Sequence, residues 1–189
     1  MVKVDYSEKL VTIPADVSVN IEGKIITATG PKGTVKKDFT AAPFKFEIVD
    51  NTVKISKNNL NKRELAILGT IASHIKNMFT GVTKGYTYKM KIVYAHFPIA
   101  VKVAGADKLQ IENFGGERYP RIARILKGVT VRVEGDDLII TGADKEAVSQ
   151  TAANIQQTCR IKDKDPRVFM DGIYVYQKLE GDEIFWKLI

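Results

Sequence analysis

The segment 117–128, ERYPRIARILKG, sets four cations three residues apart beside one carboxylate. The cations are Arg118, Arg121, Arg124 and Lys127. Clustered guanidinium and ammonium groups are typical of surfaces that bind nucleic-acid phosphates. Pro120 and Gly128 would suit a short amphipathic helix with the cations on one side. A strand would divide the cations between two faces, so that one pair needs an anionic partner on the packed side.

A second cationic segment, 159–176, reads CRIKDKDPRVFMDGIYVY and mixes basic with aromatic residues. Its candidate RNA-binding side chains are Arg160, Lys162, Lys164, Arg167 and Tyr174. Arg and Lys contact the phosphates and 2′-hydroxyls of folded RNA, and aromatic rings pack against its bases. The alternative is a return loop whose aspartates form local ion pairs, which contribute little to stability.

A third candidate is GPKG at 30–33, followed by Lys36 and Lys37. Some RNA-binding modules use G-x-x-G between two helices to clamp a phosphate backbone. The flanking segments here alternate like strands, which favours a hairpin turn, although Lys32 and backbone N–H groups could still approach a phosphate.

Residues capable of catalysis or metal binding are sparse. The sequence has no G-x-S-x-G, P-loop, H-E-x-x-H or dinucleotide fingerprint, and its one cysteine and two histidines do not form a zinc-ligand set. Cys159 falls in register with apolar helix positions, which predicts a buried thiol. His74 and His96 are interpreted as packing or capping residues. We therefore expect no enzyme activity, no cofactor, no metal and no small-molecule substrate.

The composition agrees with a binding protein. The 189 residues are 44% hydrophobic and carry a net charge of +7, which suits a polyanionic partner, either nucleic acid or an anionic membrane surface. Residues 1–83 hold 12 Lys and Arg against 8 Asp and Glu, and residues 84–189 hold 17 against 14, so both halves are basic. The sequence shows neither a membrane-span pattern nor a secretory leader, and we expect a soluble, intracellular protein.

The elements that must position these residues form the same pattern twice. Each half alternates short strand-like segments with hairpin turns and then has one amphipathic helix. The first helix is predicted to begin at the Asn61–Glu64 capping pair and to end at Gly81, and the second is predicted to begin at Asp144. Pro14 aligns with Pro98 and Lys36 with Arg121, at offsets near 84. The sequence predicts an α+β fold, a tandem duplication of a small antiparallel-sheet domain with one packed helix, with domains 1–83 and 84–189. Alternating residues from Tyr86 to Tyr94 predict a long strand that joins the domains across a short, stiff junction.

Several segments resemble the eukaryotic and archaeal branch of the universal L6 family of large-subunit ribosomal proteins, numbered ninth in eukaryotic schemes. They are NKRELA, ASHIKNMFTGVTKGYTYKMKIVYAHFPIAV, NFGGERYPRIAR and QQTCRIKDKDPRVFMDGIYV. The resemblance is collinear over nearly the entire chain. It implies a structural constituent of the large (60S) ribosomal subunit, located in the cytoplasm on the ribosome, that supports translation.

The resemblance also implies partners. They are large-subunit rRNA near the stalk base and the sarcin-ricin loop, and neighbouring large-subunit proteins, including those of the stalk base; no membrane partner is implied. The second domain would be the main rRNA-binding domain. A free-standing RNA-binding regulator is the alternative. The apolar C-terminal tail, EGDEIFWKLI, is expected to pack on its own domain or on a neighbour in the assembly.

Overall fold

The computed structural model describes residues 4–162, 164–165 and 167–188. The chain divides into two compact units, residues 1–83 and 84–189. Each unit combines small antiparallel sheets with one long helix, so the predicted α+β class is confirmed. Within the described residues, no helix has the length and apolar character needed to cross a membrane.

The first unit contains six strands and one helix, and its strands form two three-stranded antiparallel sheets, ordered β1-β6-β5 and β2-β3-β4. The elements are β1 (Val4–Thr12), β2 (Ser18–Glu22), β3 (Ile25–Gly30), β4 (Gly33–Asp38), β5 (Lys45–Val49), β6 (Thr52–Leu60) and α1 (Lys62–Thr83).

Alternation of apolar and polar residues explains the core of this unit. Ile26 and Ala28 of β3 and Val53 and Ile55 of β6 are fully buried, whereas their sequence neighbours point outward. The apolar stripe of α1, centred on Leu68 and Ile75, covers the inner faces of both sheets. Asp50 and Asn51 both have positive φ, at 45° and 60°, as a two-residue turn between β5 and β6 requires.

The first helix begins as predicted and ends later than predicted. The Asn61 side chain accepts from the backbone N–H of Glu64, and the Glu64 carboxylate accepts from that of Asn61, both at 2.9 Å. The expected stop at Gly81 is wrong, because Gly81 is a buried helical residue and α1 continues to Thr83. The left-handed residue is Gly85, at φ 79°. The apolar stripe continues through Val82, and its burial outweighs the low helix propensity of glycine.

The second unit repeats this arrangement and extends it. Its strands form a three-stranded sheet, β10-β9-β8, and a five-stranded sheet, β11-β12-β7-β13-β14. The elements are β7 (Tyr86–Val93), β8 (Ala100–Val103), β9 (Lys108–Glu112), a 3₁₀ turn (Phe114–Gly116), β10 (Arg121–Arg124), β11 (Val129–Glu134), β12 (Asp137–Gly142), α2 (Lys145–Thr158), β13 (Gly172–Glu180) and β14 (Glu183–Lys187).

The two units share one connectivity, which establishes the predicted tandem duplication. The order β7-β12-β11 reproduces β1-β6-β5, and β8-β9-β10 reproduces β2-β3-β4. One helix follows the sixth strand in each unit. The second unit then adds β13 and β14 on the free side of β7, so its larger sheet is two strands wider.

The predicted long strand lies wholly inside the second unit. Tyr86, Tyr88, Met90 and Ile92 are buried, as the alternation predicts, but both sheet partners of β7 are strands of the same unit, β12 and β13. The prediction that this strand joins the two domains is therefore wrong. A strand with partners on both sides is an internal part of its own sheet.

The second helix matches its prediction closely. The Asp144 side chain accepts from the backbone N–H of Glu146 and caps the helix, and Val148, Ala152 and Ile155 are buried against both sheets. The sequence VTVRVEGDDLIITG predicts a hairpin with Asp136 and Asp137 at its turn, whereas the turn between β11 and β12 consists of Gly135 and Asp136. Gly135 takes the left-handed conformation, at φ 61°, that the first position of a tight hairpin turn needs.

Candidate nucleic-acid interface

The cationic segment that the sequence left open between helix and strand contains a strand, β10. Arg121 and Ala123 point toward the packed face, whereas Ile122 and Arg124 point outward, and the Ile122 side chain is 56% exposed. The alignment of Arg121 with Lys36 of a strand-like segment agrees with this strand. Ile122 is apolar but lies on the solvent side, because side chains alternate between the two faces of a strand.

The expected alignment of Arg121 with Lys36 is off by one residue. Arg121 pairs with the buried Ile111 of the central strand, as Val35 pairs with the buried Ala28 in the first unit. Arg121 therefore occupies the inward position that Val35 holds. A shift of one residue along a strand exchanges its two faces, so this difference decides whether the side chain faces solvent.

The Arg121 guanidinium has the anionic partner that a packed-face cation requires. Its Nε donates to Glu117 Oε2 at 2.8 Å and its Nη2 donates to Glu117 Oε1 at 2.5 Å. Its Cζ lies 4.2 Å from the centre of the buried Phe114 ring. The hydrogen bonds from Arg121 hold the pKa of Glu117 below its usual range, and those to Glu117 raise the pKa of Arg121.

Arg121 also ties the end of α2 to β10. Its Nη1 donates to the carbonyl oxygens of Thr158 at 2.7 Å and Arg160 at 3.3 Å. Carbonyl groups in the last turn of a helix lack intrahelical donors, and a guanidinium there satisfies them and complements the helix dipole. Arg121 thus fixes the point from which the second cationic segment departs.

The segment after α2 borders two adjoining cavities in the second unit, of about 920 and 650 Å³. Their described linings share Gln157, Arg160, Ile161, Lys162, Lys164 and Phe169. Arg121 and Phe114 line only the larger cavity, and Tyr174 only the smaller one. Arg160, Lys162 and Lys164 are exposed, so the structure brings three predicted cations together at one concave surface, called here the cationic hollow.

Aromatic and ionic contacts organise this segment. Lys164 Nζ lies 5.5 Å from the centre of the Phe169 ring. Arg167 donates to both oxygens of Asp165, which lowers the pKa of Asp165 and offsets the charge of Arg167. Asp163, another acid of this segment, lies outside the described residues. Among the residues of the segment that the structure describes, Arg167 and Asp165 form the one ion pair, and Arg160, Lys162 and Lys164 are exposed around it.

Tyr174 is held close to the chain turn that precedes β13. Its hydroxyl donates to the carbonyl oxygen of Asp171 at 3.4 Å, and the Asp171 side chain accepts from the backbone N–H of Ala95 at 3.0 Å. A Cβ on the buried Gly172 would lie 2.7 Å from the Tyr174 ring, so glycine is required for this placement. Burial raises the pKa of Tyr174.

The remaining cations of the first segment lie apart from the cationic hollow. Arg118, Arg124 and Lys127 are exposed, and the described linings of the two cavities do not include them. Arg124 accepts a hydrogen bond at its carbonyl oxygen from Asn154 of α2, which keeps β10 against the helix.

In the first unit, GPKG forms the predicted hairpin turn, with Gly30 opposite Gly33. The backbone N–H of Lys32 donates to the carbonyl oxygen of Val82 at 2.9 Å, so this N–H is unavailable to clamp a phosphate. The backbone N–H of Lys32 therefore does not take part in a phosphate clamp, and a phosphate contact through its side chain stays a prediction. The side chains of Lys32 and Lys36 are exposed, whereas Lys37 is half-buried with its Nζ 3.4 Å from His74 Nδ1.

The groups with potential reactivity are not assembled for catalysis. Cys159 is 3% exposed, and burial raises the pKa of its thiol to about 12, so the thiol is protonated at neutral pH. His96 is exposed and packs edge-on against Phe97. Across the part of the chain that the structure describes, no three His, Cys, Asp or Glu residues group as a metal site would require.

Sequence reasoning missed the partners that shape the hollow. Phe114, Gln157 and Thr158 were not among the predicted site residues. One signal was available, since a packed-face cation predicts a nearby carboxylate, and Glu117 lies four residues before Arg121. The aromatic partner lies in the 3₁₀ turn, and the carbonyl groups lie at the end of α2 and just after it, so no local sequence pattern predicts this contact set.

Comparison with known proteins identifies a family that matches both units. The profile of the family described as Ribosomal protein L6 matches residues 13–85 and 97–172, one match in each unit. Large ribosomal subunit protein uL6 of Methanospirillum hungatei is 49% identical over 173 residues, covering 92% of this chain and 98% of that protein. The protein of the same name from Ignicoccus hospitalis is 48% identical, covering 94% of this chain and 98% of that protein. The one from Saccharolobus solfataricus is 47% identical, covering 89% of this chain and 93% of that protein.

Proposed function

This chain belongs to the ribosomal protein L6 family, and we propose that it binds large-subunit rRNA through the cationic hollow of its second unit. Proteins of this family are structural components of the large ribosomal subunit and not enzymes, so the chain acts by binding and positioning. The observation that carries the proposal is the convergence of Arg160, Lys162 and Lys164 with Phe169 and Tyr174 at one concave surface.

The chemistry of the hollow suits folded RNA. Exposed ammonium and guanidinium groups neutralise phosphates and release counterions, which gives an affinity that falls steeply with salt. Aromatic rings beside them offer stacking surfaces for unpaired bases. Arg121 contributes mainly by position, because Glu117 and the carbonyls of α2 already engage its guanidinium. Arg118, Arg124 and Lys127, and Lys32, Lys36 and Lys37 of the first unit, are proposed as flanking phosphate contacts.

The location within the subunit is part of the same proposal. The resemblance implies a site near the stalk base and the sarcin-ricin loop, with the second unit, residues 84–189, as the main rRNA-binding domain and other large-subunit proteins as neighbours. The eukaryotic 60S assignment and the cytoplasmic location stay predictions, since the three relatives named above are archaeal.

A salt titration tests the proposal. Binding of the full chain to purified large-subunit rRNA should weaken by several log units per log unit of salt if about five phosphates are neutralised. Substituting Gln at Arg160, Lys162 and Lys164 together should reduce the slope by about 2–3. A matched variant loses the same charge at three exposed cations outside the described linings of the cavities, Lys84, Lys102 and Arg132, and should keep the wild-type slope.

Equal slopes for the two triple variants would contradict the assignment of the hollow. Failure of the wild-type chain to bind rRNA at low salt would contradict the function itself. Co-sedimentation separates the alternative of a free-standing regulator, because a structural constituent should travel with large subunits on a sucrose gradient.

A further inference from the structure

The wider sheet of the second unit leaves part of one face uncovered. An α-helix with its side chains is about 10 Å across and neighbouring strands are about 4.8 Å apart, so one helix covers roughly two strands. In the first unit α1 packs on β1 and β6 of one sheet and on β3 and β4 of the other. In the second unit α2 packs mainly on β12, β7 and β13 of the wider sheet, and β14 forms the outer edge of that sheet.

A groove of about 400 Å³ lies at this uncovered margin. Its described lining includes Tyr88, Gln156, Gln157, Lys178 and Trp186. Lys178 and Trp186 are cross-strand neighbours on β13 and β14. The Lys178 ammonium lies 4.7 Å from the Trp186 ring centre and 5.4 Å from the Tyr88 ring centre, and Trp186 is still 39% exposed.

This groove adjoins the cationic hollow. Gln156 and Gln157 of α2 line both the groove and the 650 Å³ cavity that contains Arg160, Lys162 and Lys164. No carboxylate belongs to the described lining of the groove, and its one charged group is Lys178. A nucleic-acid strand leaving the hollow across α2 would therefore meet amides, a cation and an indole ring in succession.

We propose that the Trp186 groove receives an unstacked base of the RNA held in the cationic hollow. This inference rests on the proposed rRNA binding and extends it to β14. The indole offers a stacking face, Lys178 offers its charge to the adjoining phosphate, and the Gln156 and Gln157 amides can donate to and accept from a base edge. The positive charge and the continuity with the hollow favour an RNA occupant over an apolar peptide.

Trp186 is the single tryptophan of the chain, so its fluorescence reports on this groove alone. Adding purified large-subunit rRNA to the full chain should quench this fluorescence in a saturable way. Trp186→Leu should weaken rRNA binding by about 5-fold to 100-fold, the range expected for one stacked base. Trp186→Phe keeps an aromatic face and should stay within about 3-fold of wild type.

Phe185→Leu is the matched control. Phe185 lies on the same strand and is also partly exposed, but its ring contacts Lys145 and Tyr88 and is absent from the described groove lining. It should bind rRNA like the wild type. Equal affinities for Trp186→Leu and Phe185→Leu, or unquenched fluorescence in the RNA complex, would overturn the base-binding proposal while leaving rRNA binding intact.

Quenching that requires the other large-subunit proteins instead of rRNA would identify a protein occupant and would also overturn the proposal. Loss of rRNA binding in the wild-type chain would instead reject the proposed function. Thermal unfolding of each variant shows whether a change in binding comes from misfolding. The binding result of Trp186→Phe supports the proposal if this variant unfolds at the same temperature as the wild type.

Discussion

Arg121 and Glu117 form a two-point hydrogen-bonded ion pair, with Nε to Oε2 at 2.8 Å and Nη2 to Oε1 at 2.5 Å. The remaining guanidinium nitrogen, Nη1, reaches the carbonyl of Thr158 at the end of α2. One side chain therefore connects the loop before β10, the strand itself and the helix. This connection makes Arg121 a structural residue at the margin of a binding surface.

Arg121→Lys should destabilise the chain although it keeps the charge. An ammonium group cannot make the parallel pair to Glu117 and also reach the helix carbonyl, so the free energy of unfolding should fall by about 1–2 kcal/mol. Urea unfolding of the full chain measures the loss. Arg124→Lys, on the exposed side of the same strand, is the control and should stay within about 0.5 kcal/mol. Equal losses of stability in the two variants would show that the two-point hydrogen bonding of Arg121 to Glu117 does not stabilise the fold.

Glu117→Gln should change the pH dependence of stability. Arg121 lowers the pKa of Glu117 in the folded chain, so the contribution of this carboxylate is fully present above its unfolded-state pKa of about 4.3. The contribution is lost as pH falls through the lower folded-state value. The difference in free energy of unfolding between wild type and Glu117→Gln should therefore be largest near neutral pH and shrink in acid. A difference that is constant from pH 7 to pH 3 would contradict the pairing.

Asn61→Ala should destabilise the first unit by removing half of a reciprocal cap. The Asn61 side chain satisfies the backbone N–H of Glu64, and its loss leaves a donor at the helix start without this partner. We expect a decrease of about 1 kcal/mol in the free energy of unfolding, measured by urea titration followed by circular dichroism. Asn61→Ser, which keeps an acceptor, should recover most of that loss. If serine and alanine behave alike, the cap contributes little here.

The sequence predicted the fold well because the spacing of apolar residues within each segment distinguishes a strand from a helix. The alternation from Tyr86 to Ile92 and the helical stripe through Leu68 and Ile75 describe faces that are in fact buried. The predictions were wrong where packing or pairing with another part of the chain determines the local structure. Gly81 stays helical because the apolar stripe continues to Val82, and the long strand belongs to one unit because β13 pairs with it from far along the chain.

The candidate site was predictable only in part. The sequence shows which cations are present, but it does not show which way their side chains point. Arg121 points inward and Arg124 outward because of strand register, which a single residue of alignment error reverses. The aromatic groove at Trp186 depends on how far α2 extends across the wider sheet. The sequence predicted that the apolar tail packs on its own domain or on a neighbour in the assembly. In the structure β14 pairs with β13 of its own unit, and Trp186 and Leu188 are still exposed.

Gly172→Ala should weaken rRNA binding without a large loss of stability. The new Cβ would lie 2.7 Å from the Tyr174 ring, and that ring is 40% exposed, so it can rotate away at modest cost. Tyr174 would then leave its position beside Arg160 and Lys164 in the hollow. We expect a several-fold increase in the Kd for large-subunit rRNA and a salt slope equal to that of wild type, since no cation is removed. An unchanged Kd would show that the placement of Tyr174 is irrelevant to binding.

Two glycine-to-alanine changes in the first unit should have opposite signs. At Gly30 the added Cβ would lie 2.7 Å from the carbonyl oxygen of Val82, which is backbone and also accepts from Lys32, so the hairpin must move off α1. We expect a loss of about 1–3 kcal/mol in the free energy of unfolding. At Gly69, inside α1, nothing lies within 4 Å of the new Cβ. Alanine there should add about 0.5–1 kcal/mol through its higher helix propensity. Urea unfolding of both variants under one set of conditions measures the pair, and two changes of the same sign would show that the close approach of Gly30 to Val82 does not constrain the fold.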